Sequence, residues 1–264
     1  SVNVDQSFVV TVVNTNDAPM IGSTAKTTAT EDTAYSYTLV ATDVDGVDAL
    51  TMSAPVLPGW LGFDAATGVL SGAPGNAEVG RHDVTLRVSD GTVAVEQSFV
   101  VTVDNTNDAP TIESVAVTAA TEDAAYVYTL VSNDVDGDTL SLSAPVLPGW
   151  LSFDATTGLL AGTPSNSEVG GHEVTLQVSD GTVTLDQSFV VTVGNVNDTP
   201  TIESVAVTTA AEDVVYSYTL TATDVDGVDT LTLSAPVLPG WLSFDATTGV
   251  LSGAPGNAEV GRHD

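Results

Sequence analysis

The chain has 264 residues, 35 Asp and Glu against 4 Lys and Arg, a formal charge of −31 and no cysteine. That balance excludes a phosphate-backbone partner, which needs a basic footprint, and the missing cysteines exclude disulfide staples and thiolate metal sites. A charged fraction of 15% beside 42% hydrophobic residues leaves the chain well able to bury a core.

Self-similarity organises the whole sequence. Residues 1–13 match 92–104 and read as the last strand of a preceding unit, taken as 1–14. Full units follow at 18–104 and 109–194, and a unit that breaks off occupies 199–264. "LSAPVLPGWLSFDATTG" stands verbatim at 142–158 and 233–249, and "VLSGAPGNAEVGRHD" at 69–83 and 250–264. Trp60, Trp150 and Trp241 mark the period, 90 and 91 residues apart, because "DGVDAL" and "DGVDTL" hold one residue more than "DGDTL". These boundaries read as a piece of a longer array. No apolar run approaches the roughly 18 residues of a membrane span, so no membrane insertion is expected within this stretch.

Inside each unit the pattern alternates with period two. Tyr126, Tyr128 and Leu130 share one strand face, as do Val174, Leu176 and Val178, and Phe99, Val101 and Val103. Turn signals such as "DVDGD", "LPGW", "DATTG", "TPSN" and "SDGT" fall every eight to twelve residues, which predicts about seven short strands per unit. In "FDATTGLL" Asp154 is placed to cap a turn and Gly158 to take the positive φ that resumes the strand. The expected fold class is all-β: tandem Greek-key β-sandwiches in an extended array, with the Trp and Phe of "WLSF" as the largest core anchors.

Residues 109–198 hold twelve Asp and Glu and no Lys or Arg, so local ion pairs cannot neutralise them. Several cluster in loops: Glu122-Asp123, Asp134-x-Asp136-x-Asp138, Asp180 and Asn195-x-Asn197-Asp198. Oxygen-only donors in flexible loops suit Ca²⁺, which takes six to eight oxygens, rather than Zn²⁺, which prefers His or Cys. A sandwich gathers its loops at two ends, so acids distant in sequence can meet where one unit passes to the next through "NDAP" or "NDTP", whose proline stiffens the path.

The runs "DVDGDTL", "LPGWLSFDATTGLLAGTP", "VSDGT" and "NVNDTP" resemble the cadherin-like, dystroglycan-type and Ig-like tandem repeats of large bacterial surface or secreted proteins. The resemblance covers essentially the whole chain and implies an extracellular or cell-surface location, with Ca²⁺ at the junctions. Carried over by position, it implies Glu31, Asp64, Asn107, Asp108, Asp134, Asp136 and Asp180 at the joint of units one and two. Glu122, Asp154, Asn197, Asp198, Asp224 and Asp226 are implied at the next, and Asn16, Asp17, Asp43, Asp45 and Asp90 at the one before. Asn105 and Asn195 depart from the family by replacing an acid, and Ala66 and Thr156 by replacing a second acid after Asp64 and Asp154, so one or two ions per junction are expected. Asp64, Asp154 and Asp180 carry a second reading as turn caps.

His82, His172 and His263 recur at strand starts as structural residues would, and no nucleophile or phosphate loop is present, so an enzyme is not expected. Two functions remain: a calcium-stiffened spacer of an adhesin-type protein, partnered by its own neighbouring repeats, or a module binding a polysaccharide or another cell-surface protein. Exposed tryptophans would favour the second.

Overall fold

The computed structural model describes residues 1–46, 49–227 and 230–263; the inserted Val47 and Val228, with Asp48, Asp229 and Asp264, lie outside the described residues. The chain divides into two compact units, Ser1–Pro110 with Asn133–Thr139, and Thr111–Ser132 with Leu140–Asp264. Both are built of strands and tight turns, as an all-β chain of tandem sandwiches requires.

The first repeat carries β1 (Met20–Ile21), β2 (Thr28–Thr30), β3 (Tyr35–Thr38), β4 (Ala41–Thr42), β5 (Thr51–Val56), β6 (Leu61–Asp64), β7 (Val69–Gly72), β8 (Gly80–Ser89) and β9 (Ala94–Asp104). One sheet runs β2-β9-β8-β5 and the other β3-β7-β6. The long β8–β9 hairpin and its neighbour β5 are antiparallel, whereas β2, the opening strand, lies parallel to β9, the closing one. The second repeat copies this with β10 (Thr111–Ile112), β11 (Ala119–Thr121), β12 (Tyr126–Thr129), β13 (Ser132–Asn133), β14 (Ser141–Val146), β15 (Leu151–Asp154), β16 (Leu159–Gly162), β17 (Gly170–Ser179) and β18 (Thr184–Gly194). Its sheets are β11-β18-β17-β14 and β12-β16-β15.

The alternation seen in the sequence becomes the core. Tyr126, Tyr128, Leu130, Leu160, Val174, Leu176, Val178 and Val191 are all buried between the two sheets, each large aliphatic chain contributing about 1.5–3 kcal/mol. Trp150 and Phe153 only flank this core, half-buried, so the expectation that they anchor it is corrected: the largest fully buried aromatic of the first repeat is Tyr35. Trp150 lies edge-on between Tyr126 (5.7 Å, 80°) and His172 (5.8 Å, 79°). Opposite it the chain passes at Gly162, where a Cβ would stand 2.1 Å from the Trp150 carbonyl oxygen, so no larger residue fits.

The edge strand β14 holds Pro145, and its pairing with β17 shifts register between Ser143 and Val146. Proline and a bulge both blunt an edge against pairing with other chains.

The third repeat keeps β19 (Thr201–Ile202), β20 (Tyr216–Thr219), β21 (Ala222–Thr223), β22 (Leu242–Asp245) and β23 (Val250–Gly253). Its sheet β20-β23-β22 repeats β12-β16-β15. Residues 1–19 form no strand; in β9, the equivalent of residues 3–13, the pairing partners are β8 and β2 of the same repeat.

Candidate metal centre

Each complete repeat turns from its opening strand into β3 or β12 through a Glu-Asp pair. Asp32 and Asp123 take the left-handed conformation there, with φ of 53° and 57°, an arrangement tolerated best by Asp, Asn and Gly. The turn directs Glu31 and Glu122 inward: they are 1% and 2% exposed. Their amides donate to Asp104 O and Gly194 O at the end of the closing strand, 3.1 Å each.

Around Glu31 the linker and the "DVDGD" loop converge within the first compact unit. The Asp108 amide donates to Asp136 Oδ2 (2.6 Å), the Asp136 amide to Asp134 Oδ1 (2.9 Å), and Asn107 Nδ2 to Asp108 O (2.8 Å). Glu31, Asp32 and Asp108 each offer a carboxylate oxygen within 4.8 Å of the others, and so do Asp134, Asp136 and Asp138. The side-chain oxygen of Asn105 faces Asp136 Oδ1 and Glu31 Oε2; turned over, its amide nitrogen would donate to them at 3.1 and 3.2 Å. In that orientation Asn105 bridges the two carboxylates as a donor. Glu31 Oε1 is buried and makes no hydrogen bond.

The second unit repeats the arrangement around Glu122. Asp198 N donates to Asp226 Oδ2 (2.6 Å), Asp226 N to Asp224 Oδ1 (3.0 Å), Asn197 Nδ2 to Asp198 O (2.7 Å), and Val196 N to Glu122 Oε1. Glu122 Oε2 and Asp226 Oδ1 are buried without a partner, and Asp226 is 3% exposed. At the start of the chain Asp17 N donates to Asp45 Oδ2 (2.7 Å), Asp45 N to Asp43 Oδ1 (2.8 Å), and Asn16 Nδ2 to Asp90 Oδ2 (3.0 Å).

Two of these carboxyls, Glu31 and Asp198, have a raised proton affinity. Burial first, then the charges of Asp136, Asp108 and Asp32, push the Glu31 carboxyl above its ordinary value, against a lowering contribution from the Thr106 amide. Burial, then Asp226, Asp123 and Asp224, push Asp198 upward in the same way.

Four predicted ligands, Asp64, Asp154, Asp180 and Asp90, have other work, the last as a hairpin cap whose Oδ1 accepts from Thr92 N and Val93 N at 2.7 and 2.6 Å. Asp64 and Asp154 are exposed and both their carboxylate oxygens cap turns: Ala66 N and Thr67 Oγ1 donate at 2.9 and 2.7 Å, Thr156 N and Thr157 Oγ1 at 2.8 and 2.9 Å. These bonds hold both carboxyls below their ordinary value, Thr67 Oγ1 leading at Asp64 and the Thr156 amide at Asp154. The carry-over placed them as ligands because an acid follows "WLxF"; the hairpin uses that acid itself. Asp180 Oδ1 accepts from Thr182 N and Val183 N at 2.6 Å each, as a hairpin cap.

Sequence reasoning passed over Asp32, which joins the Glu31 group, and Asn76 and Asn166, which open the short 3₁₀ turns Asn76–Glu78 and Asn166–Glu168. The side-chain amides of Asn76 and Asn166 donate to Asp108 Oδ2 and Asp198 Oδ2, 2.7 Å each, and Asn166 Oδ1 is buried and unpartnered. Their only sequence signal was "APGN" and "TPSN", which read as turns. Glu78 and Glu168, two residues on, fold back instead to accept from the amides of Gly75 and Ser165 (3.0 and 2.9 Å).

Three known-protein comparisons bear on this arrangement. The family model described as "Putative Ig domain" matches residues 10–104, 109–194 and 199–264. A chitinase A of Pseudoalteromonas piscicida is 29% identical over 205 residues, 76% of this chain and 25% of that protein. A serine-rich adhesin for platelets of Staphylococcus aureus is 26% identical over 170 residues, 62% of this chain and 12% of that protein. The chain thus spans a quarter or less of these relatives. Among solved structures, extracellular cadherin domains 3–6 of protocadherin gamma B2 superpose with a TM-score of 0.52 at 16% identity, over 90% of this chain and 65% of that one. Among the described residues no helix is long and apolar enough to cross a membrane.

Proposed function

The chain belongs to the Ig-like family of that model, in three tandem copies, and on that premise we propose that it is a non-catalytic, calcium-stiffened spacer of an extracellular, adhesin-type protein. The observation that carries the reading is the pair Glu31 and Glu122: almost wholly buried carboxylates, each with an oxygen left unpartnered, the first of them grouped with the carboxylates of Asp32 and Asp108. A buried charge without a counter-charge is too costly to persist; it protonates or it takes a cation.

The donors are all oxygens and their loops are flexible in type, which fits Ca²⁺ best. Glu31, Asp32, Asp108, Asp134, Asp136 and Asn105 would hold it in the first unit, with Asn76 fixing Asp108. Glu122, Asp198, Asp224 and Asp226 would hold it in the second, with Asn166 fixing Asp198. Calcium supplies positive charge that makes the cluster attractive, so linker, Glu-Asp turn and "DxD" loop become one cross-linked body. Extracellular modules bind at about 10⁻⁴–10⁻³ M, levels met outside cells.

A polysaccharide platform gains less support. Trp60, Trp150 and Trp241 are half-buried against Tyr and His rings, with Nε1 enclosed, which leaves no exposed aromatic row. The test is calorimetry and solution scattering of the chain in millimolar Ca²⁺ and in EDTA. A higher melting point and a narrower distance distribution in Ca²⁺ are expected; indifference of both to the ion would end the proposal.

A further inference from the structure

His82 and His172 stand near the starts of β8 and β17, and in both complete repeats they close the same chain of bonds. Their Nε2 atoms face the carbonyl oxygens of Glu78 and Glu168, at 2.6 Å each. A carbonyl oxygen only accepts, so Nε2 carries the proton and donates it to the bond. Each imidazole is itself held edge-on against a tryptophan, His82 against Trp60 (5.8 Å, 77°) and His172 against Trp150 (5.8 Å, 79°).

The segment that each histidine pins reaches the carboxylate cluster at two points. In repeat 2 it runs Pro164-Ser165-Asn166-Ser167-Glu168. The buried Pro164 accepts, through its carbonyl, from the Asp123 amide (2.8 Å), next to Glu122 in the Glu-Asp turn. Two residues on, Asn166 Nδ2 donates to Asp198 Oδ2 of the linker (2.7 Å). The segment keeps its shape because the Glu168 amide donates to Ser165 O and the Ser165 amide to Glu168 Oε2, both at 2.9 Å. Repeat 1 has every one of these links: Asp32 N to Pro74 O (2.8 Å), Asn76 Nδ2 to Asp108 Oδ2 (2.7 Å), Glu78 N to Gly75 O (2.9 Å) and Gly75 N to Glu78 Oε2 (3.0 Å). Gly75 and Ala77 replace Ser165 and Ser167, and none of these links uses their side chains.

We propose that His82 and His172 are positioning residues of the cation site: each pins, through the Glu78 or Glu168 carbonyl, a bracket whose proline carbonyl holds the Glu-Asp turn and whose asparagine holds the linker carboxylate. The proposal rests on the cation reading of Glu31 and Glu122, and it adds a control point at the Trp margin of the sandwich. A linker aspartate turns freely about its side-chain torsions, and the bond from Asn76 or Asn166 selects one orientation. Groups that orient a ligand in this way change metal affinity by about 10–100-fold when removed. Without the histidine donor the 3₁₀ turn keeps only its internal bonds, and the asparagine loses its fixed base. By linkage, an ion in the cluster tightens the histidine bond by the same factor.

Calcium titration calorimetry of the full chain, with melting curves in EDTA, tests this. The variant H82F/H172F keeps a ring against each tryptophan and removes both donors, and its Kd for Ca²⁺ should rise about tenfold. In H82Q/H172Q an amide nitrogen can reach where Nε2 stood, so most of that affinity should return. N76A/N166A should weaken binding at least as much as H82F/H172F, and combining the two sets should weaken it little further, because both act on Asp108 and Asp198 through one bracket. An unchanged Kd in H82F/H172F, a change confined to its melting point in EDTA, a glutamine pair no better than the phenylalanine pair, or losses that simply add would overturn the proposal and leave the cation reading standing. A parent chain that takes up no Ca²⁺ would end both.

Discussion

Repeats 2 and 3 hold an identical stretch, 142–158 and 233–249, in two settings, and the outcomes separate local from borrowed structure. The hairpin β15–β16 and its copy β22–β23 form with the same register in both, each held by its own Asp-capped turn and by its partner β12 or β20. Residues 141–146 form the strand β14 beside β17, while their counterparts 232–237 form none. Tyr126, Leu151 and Leu160 are buried; Tyr216, Leu242 and Leu251 are only half-buried. One sheet of this sandwich therefore folds on local information, and its burial depends on the other.

The largest effect expected of a substitution follows from that difference. Leu160→Ala should cost about 2–5 kcal/mol, as for a fully enclosed leucine, and Leu251→Ala far less, because its site already opens on a cleft. Calorimetry reading separate transitions checks it; equal losses would mean that repeat 3 is as closed as repeat 2.

Next comes the cation. At a hundredfold excess over Kd each occupied site adds about 2.7 kcal/mol, and Glu31→Gln or Glu122→Gln should remove that gain while raising stability in EDTA, where a buried negative charge is lost. Glu212→Gln, at the exposed equivalent position in repeat 3, should change neither. The Glu31 carboxyl also sets a pH dependence in EDTA. The Glu31 carboxyl is pushed above 4.5, so the folded form holds its proton longer than the unfolded one. Stability then falls as pH rises from 4.5 through the raised value, the reverse of ordinary acid unfolding. A melting point that climbs steadily over that interval would count against the uncompensated cluster.

Tyr128→Phe should cost about 1 kcal/mol, since Gln187 and Ser114 lose a buried partner. Tyr218→Phe should cost less, having only Ser204 to lose among its described bonds. The smallest effects belong to Asp154→Asn and Asp245→Asn, which should match each other because both turns are local. Their carboxyls lie below 3.8 when folded, so what they add is present above that value and lost on further acidification. Melting curves of the two variants at neutral pH decide it.

Much of this was legible in the sequence. Period-two runs named the inward faces of β12, β17 and β9 residue by residue, and the "NDAP", "DxD" and Glu positions converge as their recurrence suggested. What stayed hidden depends on neighbours. Trp150 is the bulkiest side chain of its repeat, but its indole sits at the sandwich margin between Tyr126 and His172, so size did not translate into depth. Asp154 carried two readings in the sequence, turn cap and ligand, and its bonds to Thr156 and Thr157 decide for the turn. Asn76 and Asn166 gave no compositional sign, because an amide beside proline and glycine looks like any turn.

The parallel pairing of β2 with β9, and of β11 with β18, has a mechanical consequence. β2 and β11 lie near the start of their repeats and β9 and β18 end them, each pair running the same way. Tension applied through the array therefore pulls the two strands past each other lengthwise, loading all the bonds of the ladder together instead of peeling them one by one. A tether assembled from such clasps should yield in abrupt, evenly spaced steps, and the force of each step is set by the short ladder that joins a repeat's first strand to its last.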